Sequence, residues 1–487
     1  MKDLNDFLKI KEILNTFLIK NNSDEILLSI KYLYLIKEHS FFLNNYTDLL
    51  RKKKYNIIKF IYLLIFKFII LSIFVFYLLF KKKEKINFKK QKFNNKKQIF
   101  IISHLIENHT TYNFDFYFGD LKNYQINFDV IRLMHSYSLK TKNNNILKQK
   151  DEIYNIIFNY NLGFFNNINI LLKLITKSLF FFFKSFKEKN YLYRKIAIEL
   201  LSLTTFINLV LFNYSKKVFE NNNISSVLLT YEGHPFERLI YFASTFSKNR
   251  VKKIGYIHTP FSCYQNTPLI NFNTKLNPDI VMFAGDASYE NIKFNFNVKK
   301  IIYGSRKHID YSINNSNKLL QNNKKIYFLF LPEGIETEVN DFFDLAYSSS
   351  LKFPNFNFIL RIHPLIKEKV YLKFKTKIDK ISNLLLSNSS IEEDSIKSFY
   401  SIYSGSSSVI ESINYGSLPI CYQNNVNLNT DPLYQLEDII RISNKNDFMH
   451  FLSSSISNKY IKSEITNIRN YSSSVFTKIN YDVLFDI

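Results

Sequence analysis

Short apolar segments alternate with helical ones from residue 98 onward, and this alternation limits the possible fold more than any other feature of the sequence. Each segment is followed by a polar or glycine-bearing loop; the segments are 99–103, 128–133, 225–230, 253–257, 279–283 and 300–303. Strands of a parallel sheet are covered by helices on both faces, so they are apolar along their whole length. We therefore predict an α/β fold built on a parallel sheet.

The alternation restarts after a polar, asparagine-rich stretch at 310–325. The second series of predicted strands is 326–331, 357–362, 399–403, 418–422 and 439–442, and its helices are 339–348, 366–375, 407–415 and 459–470. A chain of 487 residues can bury more than one core. We predict a helical region at 1–97, a first Rossmann-like domain at 98–309 and a second at 310–487, whose last helix returns toward the first.

The formal net charge of +24 is compatible with nucleic acid as a partner, because clustered cations displace counterions from phosphates. The sequence has no RNA-binding signature, helix-turn-helix spacing or zinc-ligand set, so we favour a solvated basic surface, with a basic face toward anionic lipid as the functional alternative. Cys263 and Cys421 lie far apart, without His or Cys neighbours at ligand spacing. We expect no nucleic-acid partner, disulfide framework, metal or cofactor.

The segment 60–80 is apolar apart from Lys67 and Ser72, and basic clusters at 51–54 and 81–83 flank it. Its length would span a bilayer. The internal lysine and the cations on both flanks instead favour a helix in the membrane interface, because only one flank of a spanning helix should be cytoplasmic. A true span and a buried core helix remain alternatives.

A second stretch, 166–187, carries a polar stripe on an otherwise apolar helix. At about 100° per residue, one narrow arc holds Asn166, Asn169, Lys173, Lys177, Lys184 and Lys187. Such a basic stripe suits a helix that meets lipid phosphates, and a helix with one wet face packed on a core is the alternative. The two stretches together predict a peripheral or monotopic protein at the cytoplasmic face of the inner membrane.

Ligands of open parallel sheets lie at the carboxyl ends of the strands, where this chain has several polar loops. Glu333 and Gly334 follow the strand 326–331, and a glycine ahead of a helix lets backbone amides face an anionic or ribosyl ligand. Arg361 and His363 leave the strand 357–362 on the same side. Both side chains suit phosphate oxygens.

Ser406, Ser407 and Ser408 stand where the strand 399–403 leads into a helix, and hydroxyls with helix N-terminal amides form phosphate sites. Glu411, in the same helix, can accept hydrogen bonds from a ribose or can simply complement the helix dipole.

In the first domain, Glu232 follows the strand 225–230 and His258 follows the strand 253–257, with His234 as a competitor. A carboxylate or imidazole there can act as a general base, and a structural histidine is the alternative for either ring.

The Arg-x-His-Pro segment at 361–364, the serine-rich helix start, Glu411 and the Gly-x-x-Pro-Ile segment at 416–420 together resemble the C-terminal half of GT-B glycosyltransferases. The resemblance is closest to transferases that use CMP-activated sugars, of the bacterial sialyl and Kdo type, and looser to surface-carbohydrate (capsule and lipopolysaccharide) biosynthesis proteins. It covers about residues 227–422. It implies that His363 and Ser406 to Ser408 contact the nucleotide phosphate, that Glu411 lies near the ribose or base, and that the first domain binds the acceptor.

Those sialyltransferases carry an acidic pair before a glycine, and this chain has Tyr231-Glu232-Gly233, with tyrosine in place of the first acid. The resemblance therefore implies that Glu232 is the general base. We predict a metal-independent GT-B glycosyltransferase that moves a sugar from a nucleotide-activated, CMP-linked donor to a lipid-linked or surface-glycan acceptor. The alternatives are a polymer transferase using CDP-activated polyol phosphate and a non-catalytic nucleotide-sugar-binding scaffold of a surface-polysaccharide complex.

Overall fold

The computed structural model describes most of the chain. The described residues are 2–35, 46, 48–50, 56–78, 80–81, 97–106, 110–135, 153–261, 263–309, 326–363, 366, 368–423, 430–454 and 460–486. The polar stretch 310–325, the basic clusters at 51–54 and 82–83, and Pro364 lie outside them.

Seven parallel strands form the first sheet. They are β1 (Lys97–His104), β4 (Phe128–His135), β5 (Ile153–Ile157), β6 (Ile224–Thr230), β7 (Lys252–Ile257), β8 (Ile280–Phe283) and β9 (Lys299–Ile302), and a small antiparallel pair, β2 (Phe114–Asp115) and β3 (Gly119–Asp120), follows β1. The strand order β5-β4-β1-β6-β7-β8-β9 reverses direction between β1 and β6. This is the doubly wound order of a Rossmann-like sheet.

Six parallel strands form the second sheet. They are β10 (Tyr327–Leu331), β11 (Asn357–Leu360), β12 (Leu384–Leu386), β13 (Tyr400–Tyr403), β14 (Leu418–Tyr422) and β15 (Ile440–Ile442). Their order is β12-β11-β10-β13-β14-β15, which reverses between β10 and β13. The prediction of an α/β fold with two Rossmann-like units, the GT-B architecture, is confirmed by these two sheets.

Helices cover both sheets and an N-terminal region. They are α1 (Lys2–Lys20), α2 (Glu25–Leu28), α3 (Ile57–Leu78), α4 (Phe164–Lys187), α5 (Tyr191–Leu200), α6 (Leu203–Asn221), α7 (Pro235–Ser244), α8 (Asp286–Asn291), α9 (Glu336–Lys352), α10 (Glu368–Ile378), α11 (Ile391–Lys397), α12 (Ser408–Asn414), α13 (Lys445–Ser453) and α14 (Lys462–Val475).

The alternation of side chains along β1 separates two hydrophobic cores. Phe100 and Ile102 belong to the core formed with the N-terminal helices and α4 to α7. Ile99 and Ile101 point to the opposite face, whose core continues into the second sheet. Both faces of the first sheet are therefore covered, which explains why most residues of its central strands are buried.

The chain returns to the first sheet after α14, as predicted. Thr477 N donates to Ala284 O (2.9 Å), Ser305 N donates to Thr477 O (2.8 Å), and Asn480 N donates to Tyr303 O (2.8 Å). The prediction that the last helix leads back is confirmed, although the helix ends at Val475 rather than residue 470. The domain boundaries themselves stay a prediction.

The strands β5 and β12 and the helices α11 and α13 were not predicted from the sequence. Strand β12 has only three residues, and α11 has seven, so neither repeats its pattern often enough to be recognised. Tertiary pairing with β4 and β11 places the two strands.

Among the described helices, α3 is long and apolar enough to cross a membrane. Helices α5 and α6 would pass the same test together, but they are bent by 65°. Helix α3 packs on the first unit through one stripe that includes Phe60, Leu71 and Leu78. Most of its other side chains are exposed. The alternative prediction for this segment, a helix buried in the core, is therefore wrong.

Candidate active site

The predicted loops occur at the reversal points of both sheets, where open α/β sheets bind ligands. At the first, β1 ends at His104 and β6 leads into Glu232. At the second, β10 leads into Glu333 and β13 leads into the serine-rich segment 404–408. Each unit thus has one polar crevice at the edge formed by the carboxyl ends of its strands.

Glu232 is the centre of a polar cluster in the first crevice. Its Oε1 accepts a hydrogen bond from Thr259 Oγ1 (2.9 Å) and lies 3.6 Å from His258 Nε2, while its Oε2 lies 3.5 Å from His234 Nε2. Its side chain is 27% exposed, more than that of His258 at 16%. The sequence-predicted pair Glu232 and His258 is therefore in contact.

A tight turn presents Glu232 to the crevice. Gly233 has a φ of +94°, and a Cβ there would lie 2.1 Å from Thr267 Oγ1. The Glu237 carboxylate, buried at the start of α7, accepts hydrogen bonds from the backbone N–H groups of Glu232 (2.8 Å), Gly233 (2.7 Å) and His234 (3.0 Å). Glu237 therefore caps the beginning of α7, and the same carboxylate fixes the Glu232 loop.

The electrostatics of the cluster favour an ionised Glu232. Burial alone would raise its pKa, but His258, His234 and the Thr259 hydroxyl hold that pKa well below its ordinary range. Burial lowers the pKa of His258, although Glu232 opposes the shift. A carboxylate with a neutral imidazole beside it is the resulting state near neutral pH.

The position that departs from the sialyltransferase pattern faces the core. Tyr231 is fully buried, and its hydroxyl donates to Pro268 O (2.8 Å). Gly255 leaves no room between β7 and this ring, since a Cβ on it would lie 2.8 Å from Tyr231 Cβ. An acid at this position would be buried without access to the crevice.

Two histidines of the first crevice were missed from the sequence. His104 and His135 end β1 and β4, and their rings are 4.2 Å apart. Phe236 packs against both rings, and Tyr117 lies 4.6 Å from the ring of His258. The sequence did contain a signal for them, because each histidine stands at the end of a strand and the two strands are paired in parallel.

A small cavity adjoins the Glu232 loop between the two units. It has a volume of about 170 Å³, and its walls include Phe261, Cys263, Gln265, Tyr434 and Tyr471. Gln265 Nε2 also donates to the carbonyl oxygen of Glu232 (3.3 Å). The segment after β7 therefore contacts the carboxylate on one side and lines the cavity on the other.

The two loops of the second crevice approach each other closely. A Cβ on Gly405 would lie 2.1 Å from Glu333 Oε1 and 2.5 Å from Thr430 Oγ1. A Cβ on Gly334 would lie 2.9 Å from His363 Nδ1. The structure thus brings together Glu333, Gly334 and His363 with the glycine that precedes Ser406.

The predicted serine and acidic residues of β13 and α12 lie beside this point. Ser406 is buried, whereas Ser407 and Ser408 are partly exposed at the beginning of α12. Glu411, one turn into α12, accepts a hydrogen bond from Lys307 Nζ (2.8 Å), a residue that follows β9 of the first unit. The sequence predicted that the Glu411 carboxylate accepts hydrogen bonds from a ribose, and in the structure it accepts one from a lysine.

Arg361 has a structural partner. Its Nη1 donates to Asp394 Oδ2 (2.9 Å), to the carbonyl oxygen of Ser389 (2.5 Å) and to Ser387 Oγ (3.3 Å). Asp394 is 4% exposed. These bonds hold the guanidinium at the loop between β12 and α11. The predicted contact of Arg361 with a phosphate stays a prediction, and a phosphate would compete with these acceptors for the guanidinium.

Lys307 links the two crevices electrostatically. Burial lowers the pKa of His258 and of His363, and Lys307 lowers both further. The effect of a charge weakens with distance, so both imidazoles lie near Lys307. The hydrogen bond from Lys307, just after β9, to Glu411 of α12 shows that the ends of the two sheets that carry the polar loops approach each other at this lysine. Among the described residues, no group of three or more His, Cys, Asp or Glu side chains is arranged to hold a metal ion.

Comparison with known proteins found similarity among solved structures alone. No protein-family model matches the chain, and no curated protein sequence matches it. A UDP-GlcNAc 2-epimerase from Neisseria meningitidis bound to UDP-GlcNAc is 11% identical, with a TM-score of 0.41 over 77% of this chain and 97% of that one.

Two further solved structures are similar to the same extent. S. aureus MnaA with UDP is 10% identical, with a TM-score of 0.45 over 78% of this chain and 93% of that one. The glycosyltransferase SnogD from Streptomyces nogalater is 8% identical, with a TM-score of 0.42 over 78% and 96%.

Proposed function

We propose that the protein is a glycosyltransferase that binds a nucleotide-activated sugar between its two units. The observation that carries the proposal is the hydrogen bond from Lys307, just after β9 of the first unit, to Glu411, beside the serine-rich loop of the second, because it brings together the sheet ends that carry the polar loops. One crevice offers an ionised carboxylate, and the other offers an imidazole and hydroxyls. A donor with a phosphate at one end and an electrophilic sugar carbon at the other would contact both.

Glu232 is the proton acceptor in this proposal. The acceptor hydroxyl attacks the anomeric carbon of the donor sugar, its proton passes to Glu232, and the bond from the sugar to the nucleotide phosphate breaks. Neither nitrogen of His258 suits this role, because Nε2 faces Glu232 and Nδ1 is buried without a hydrogen-bond partner in the described part of the chain. His258 and Thr259 instead orient the carboxylate.

The nucleotide phosphate lies at the second crevice in this proposal. His363 and the hydroxyls of Ser406 to Ser408 would donate hydrogen bonds to it. Glu333 lies against Gly405 beside them. Glu411 reaches a ribose only if Lys307 moves or shares it. We propose a CMP-linked donor on the resemblance of these loops, and a metal-independent transfer in which protein side chains balance the phosphate charge.

The acceptor occupies the side of the first unit. The cavity beside Glu232 combines aromatic rings with side-chain amides, a lining that suits a sugar ring. We propose a lipid-linked or surface-glycan acceptor, in bacterial surface polysaccharide synthesis at the cytoplasmic face of the inner membrane. The exposed apolar helix α3 supports a location where lipid-linked acceptors are found.

The nucleotide is tested by thermal unfolding of the purified protein with CMP, CDP, UDP or GDP. We expect CMP to raise the Tm most, since a ligand that binds only the folded state stabilises it. His363→Ala should abolish the increase, and His450→Ala, at an exposed position on α13, should leave it unchanged. A larger effect of UDP would overturn the CMP assignment, and no effect of any nucleotide would overturn the proposed function.

Catalysis is tested by sugar transfer to membrane extracts. Glu232→Gln should lower the rate about 100- to 10,000-fold while nucleotide binding persists. Glu220→Gln, at the exposed end of α6, is the matched control. If Glu232→Gln retains full activity, the base lies elsewhere, and if His363→Ala does too, the protein is not this transferase.

A further inference from the structure

Helix α3 exposes apolar side chains around most of its circumference. Its outer side includes Ile58, Tyr62, Ile65, Ile69, Ile73 and Phe76, with exposed fractions of 80% at Ile58 and 62% at Phe76. At 100° per residue the exposed apolar positions cover an arc of about 220°. A water-exposed apolar surface of this extent marks an interaction site.

Both ends of α3 are attached to the first unit. Near its beginning, Phe60 is buried and stacks on Phe182 of α4, with ring centroids 5.3 Å apart. Near its end, Phe74 meets Phe206 of α6 edge to face at 6.1 Å, and the Asn161 side chain donates to the carbonyl oxygen of Lys81. The helix therefore lies along the unit rather than projecting from it.

The middle of α3 carries a paired lysine. Lys67 Nζ donates to Glu199 Oε1 of α5 at 3.1 Å, and both side chains are partly buried. This pair explains how a lysine can occupy the centre of an apolar helix. It turns the charge toward the protein and leaves the opposite side of the helix apolar.

Helix α4 extends the apolar surface. Phe165, Leu172, Phe180 and Phe183 are exposed on the helix that α3 contacts. The predicted basic stripe on α4 is only partly available, because Lys177 pairs with Asp24 (2.7 Å) and Lys184 lies 3.8 Å from Glu188.

Exposed lysines remain beside the apolar side chains. Lys59 on α3, and Lys173 and Lys187 on α4, are exposed. Cations next to an apolar surface favour a partner that offers both acyl chains and phosphates.

We infer that α3 and the exposed side of α4 embed in one leaflet of an anionic phospholipid bilayer, with α3 parallel to the membrane plane. A helix of 22 residues is about 33 Å long and would cross a bilayer only with its ends on opposite sides. Here both ends are attached to the same unit, whose sheet would have to enter the membrane as well. An arc of about 220° is also too convex for a flat protein interface, whereas fluid lipid surrounds it.

This inference extends the proposed membrane location and does not depend on glycosyl transfer. The chain has no tryptophan, so single tryptophans can report depth in the full-length protein. Ile58→Trp, Ile69→Trp and Phe76→Trp place the probe near the beginning, middle and end of the outer side of α3. The vesicles contain phosphatidylcholine and phosphatidylglycerol with bromine at defined acyl-chain depths.

We expect bromines near the headgroups to quench the fluorescence of the three tryptophans to extents that agree within about twofold. A helix that lies in the membrane plane keeps all three side chains at the same depth. Ile461→Trp, exposed on the second unit, should not be quenched. Quenching of Ile69→Trp by the deepest bromines, with the terminal probes quenched only near the headgroups, would show a spanning helix and overturn the inference. Absence of quenching in all three, with a doubled mass by light scattering, would assign the surface to a second copy.

The role of the cations has its own test. Flotation with vesicles should show binding to phosphatidylcholine alone and tighter binding when phosphatidylglycerol is present. The triple variant Lys59→Glu, Lys173→Glu and Lys187→Glu should lose the preference while retaining the binding to neutral vesicles. Equal binding of the unchanged protein to both vesicles would overturn the anionic part of the inference, and circular dichroism checks that each variant is folded.

Discussion

Lys307 Nζ donates to Glu411 Oε1 over 2.8 Å, and this bond joins the segment after β9 to helix α12 of the other unit. Lys307 also lowers the pKa of His258, in the first crevice, and of His363, in the second. Each side of the proposed donor site therefore responds to the same cation. Replacing Lys307 with an uncharged residue therefore tests the electrostatic effect of this charge on both units.

Replacing Lys307 by Met should raise the pKa of both imidazoles. Lys307 disfavours a second positive charge nearby, so its removal makes protonation of His258 and His363 easier. Titration of ¹³C-labelled histidine rings by NMR should show both curves moved to higher pH, with His450 unchanged as an internal control. If neither curve moves, Lys307 does not lie between the crevices in solution.

Glu237 should make stability fall as the pH rises from about 4.5 to 7. Burial raises the pKa of this carboxyl from 4.5 to about 7, although His234 and the backbone N–H groups oppose the shift. The folded state then holds the proton more tightly than the unfolded state, so the free energy of unfolding decreases as pH rises through this range. Urea unfolding at several pH values measures the slope.

Glu237→Gln is the variant that isolates this slope, because an amide does not titrate in the range. It should remove the falling contribution of Glu237, so that the slope of the unfolding free energy against pH becomes more positive than in the unchanged protein, and cost about 1–3 kcal/mol through its weaker acceptor at three backbone N–H groups. Glu220→Gln should retain the slope. An unchanged slope in Glu237→Gln would contradict the prediction.

Gly405→Ala should weaken nucleotide binding more than it weakens folding. The added Cβ would lie 2.1 Å from Glu333 Oε1 and 2.5 Å from Thr430 Oγ1, the ends of side chains that can rotate away. We expect a loss of about 1 kcal/mol or less in stability and at least about tenfold in nucleotide affinity, because the movement changes the crevice. Calorimetric titration and thermal unfolding measure the two quantities.

The double variant Gly405→Ala with Glu333→Ala removes the shorter of the two contacts, leaves the one with Thr430 Oγ1, and serves as the comparison. Its Tm should return toward that of Glu333→Ala alone. A Gly405→Ala protein with normal nucleotide affinity would show that the close approach of the two loops has no part in binding.

Arg361→Ala and Asp394→Ala should destabilise the second unit to a similar degree, by about 1–3 kcal/mol each. The two side chains share a charged hydrogen bond of 2.9 Å, and Asp394 is almost fully buried. In a double-mutant cycle the effects should be less than additive. If Arg361→Ala instead leaves stability unchanged and abolishes nucleotide binding, its contact with a phosphate is the main role.

The sequence predicted the sheets because each strand carries its own signal. A buried strand such as β10 is apolar along its length, and the loop that follows it is polar. The location of Glu232, His258, Glu333 and His363 at strand ends followed from the same pattern. Short elements such as β12 could not be predicted, because pairing with β11 rather than local sequence determines them.

Contacts between distant segments were also beyond the sequence. Nothing local indicates that Lys307 meets Glu411, that Arg361 binds Asp394, or that Lys67 is neutralised by Glu199. Each pair forms only after separate units or helices pack together. The candidate residues could therefore be predicted from the sequence. Which of them form ion pairs within the protein depends on how the elements pack.

The return of the chain end to the first sheet constrains how the two units can move. Ser305 and Thr477 are hydrogen-bonded, as are Tyr303 and Asn480, so the outgoing and returning chain segments run side by side where they join the first sheet. Two adjacent connections permit rotation about a common axis and oppose sliding or twisting. Opening to admit a ligand would then be a single-axis rotation, with the largest displacement at the edge farthest from residues 475–480.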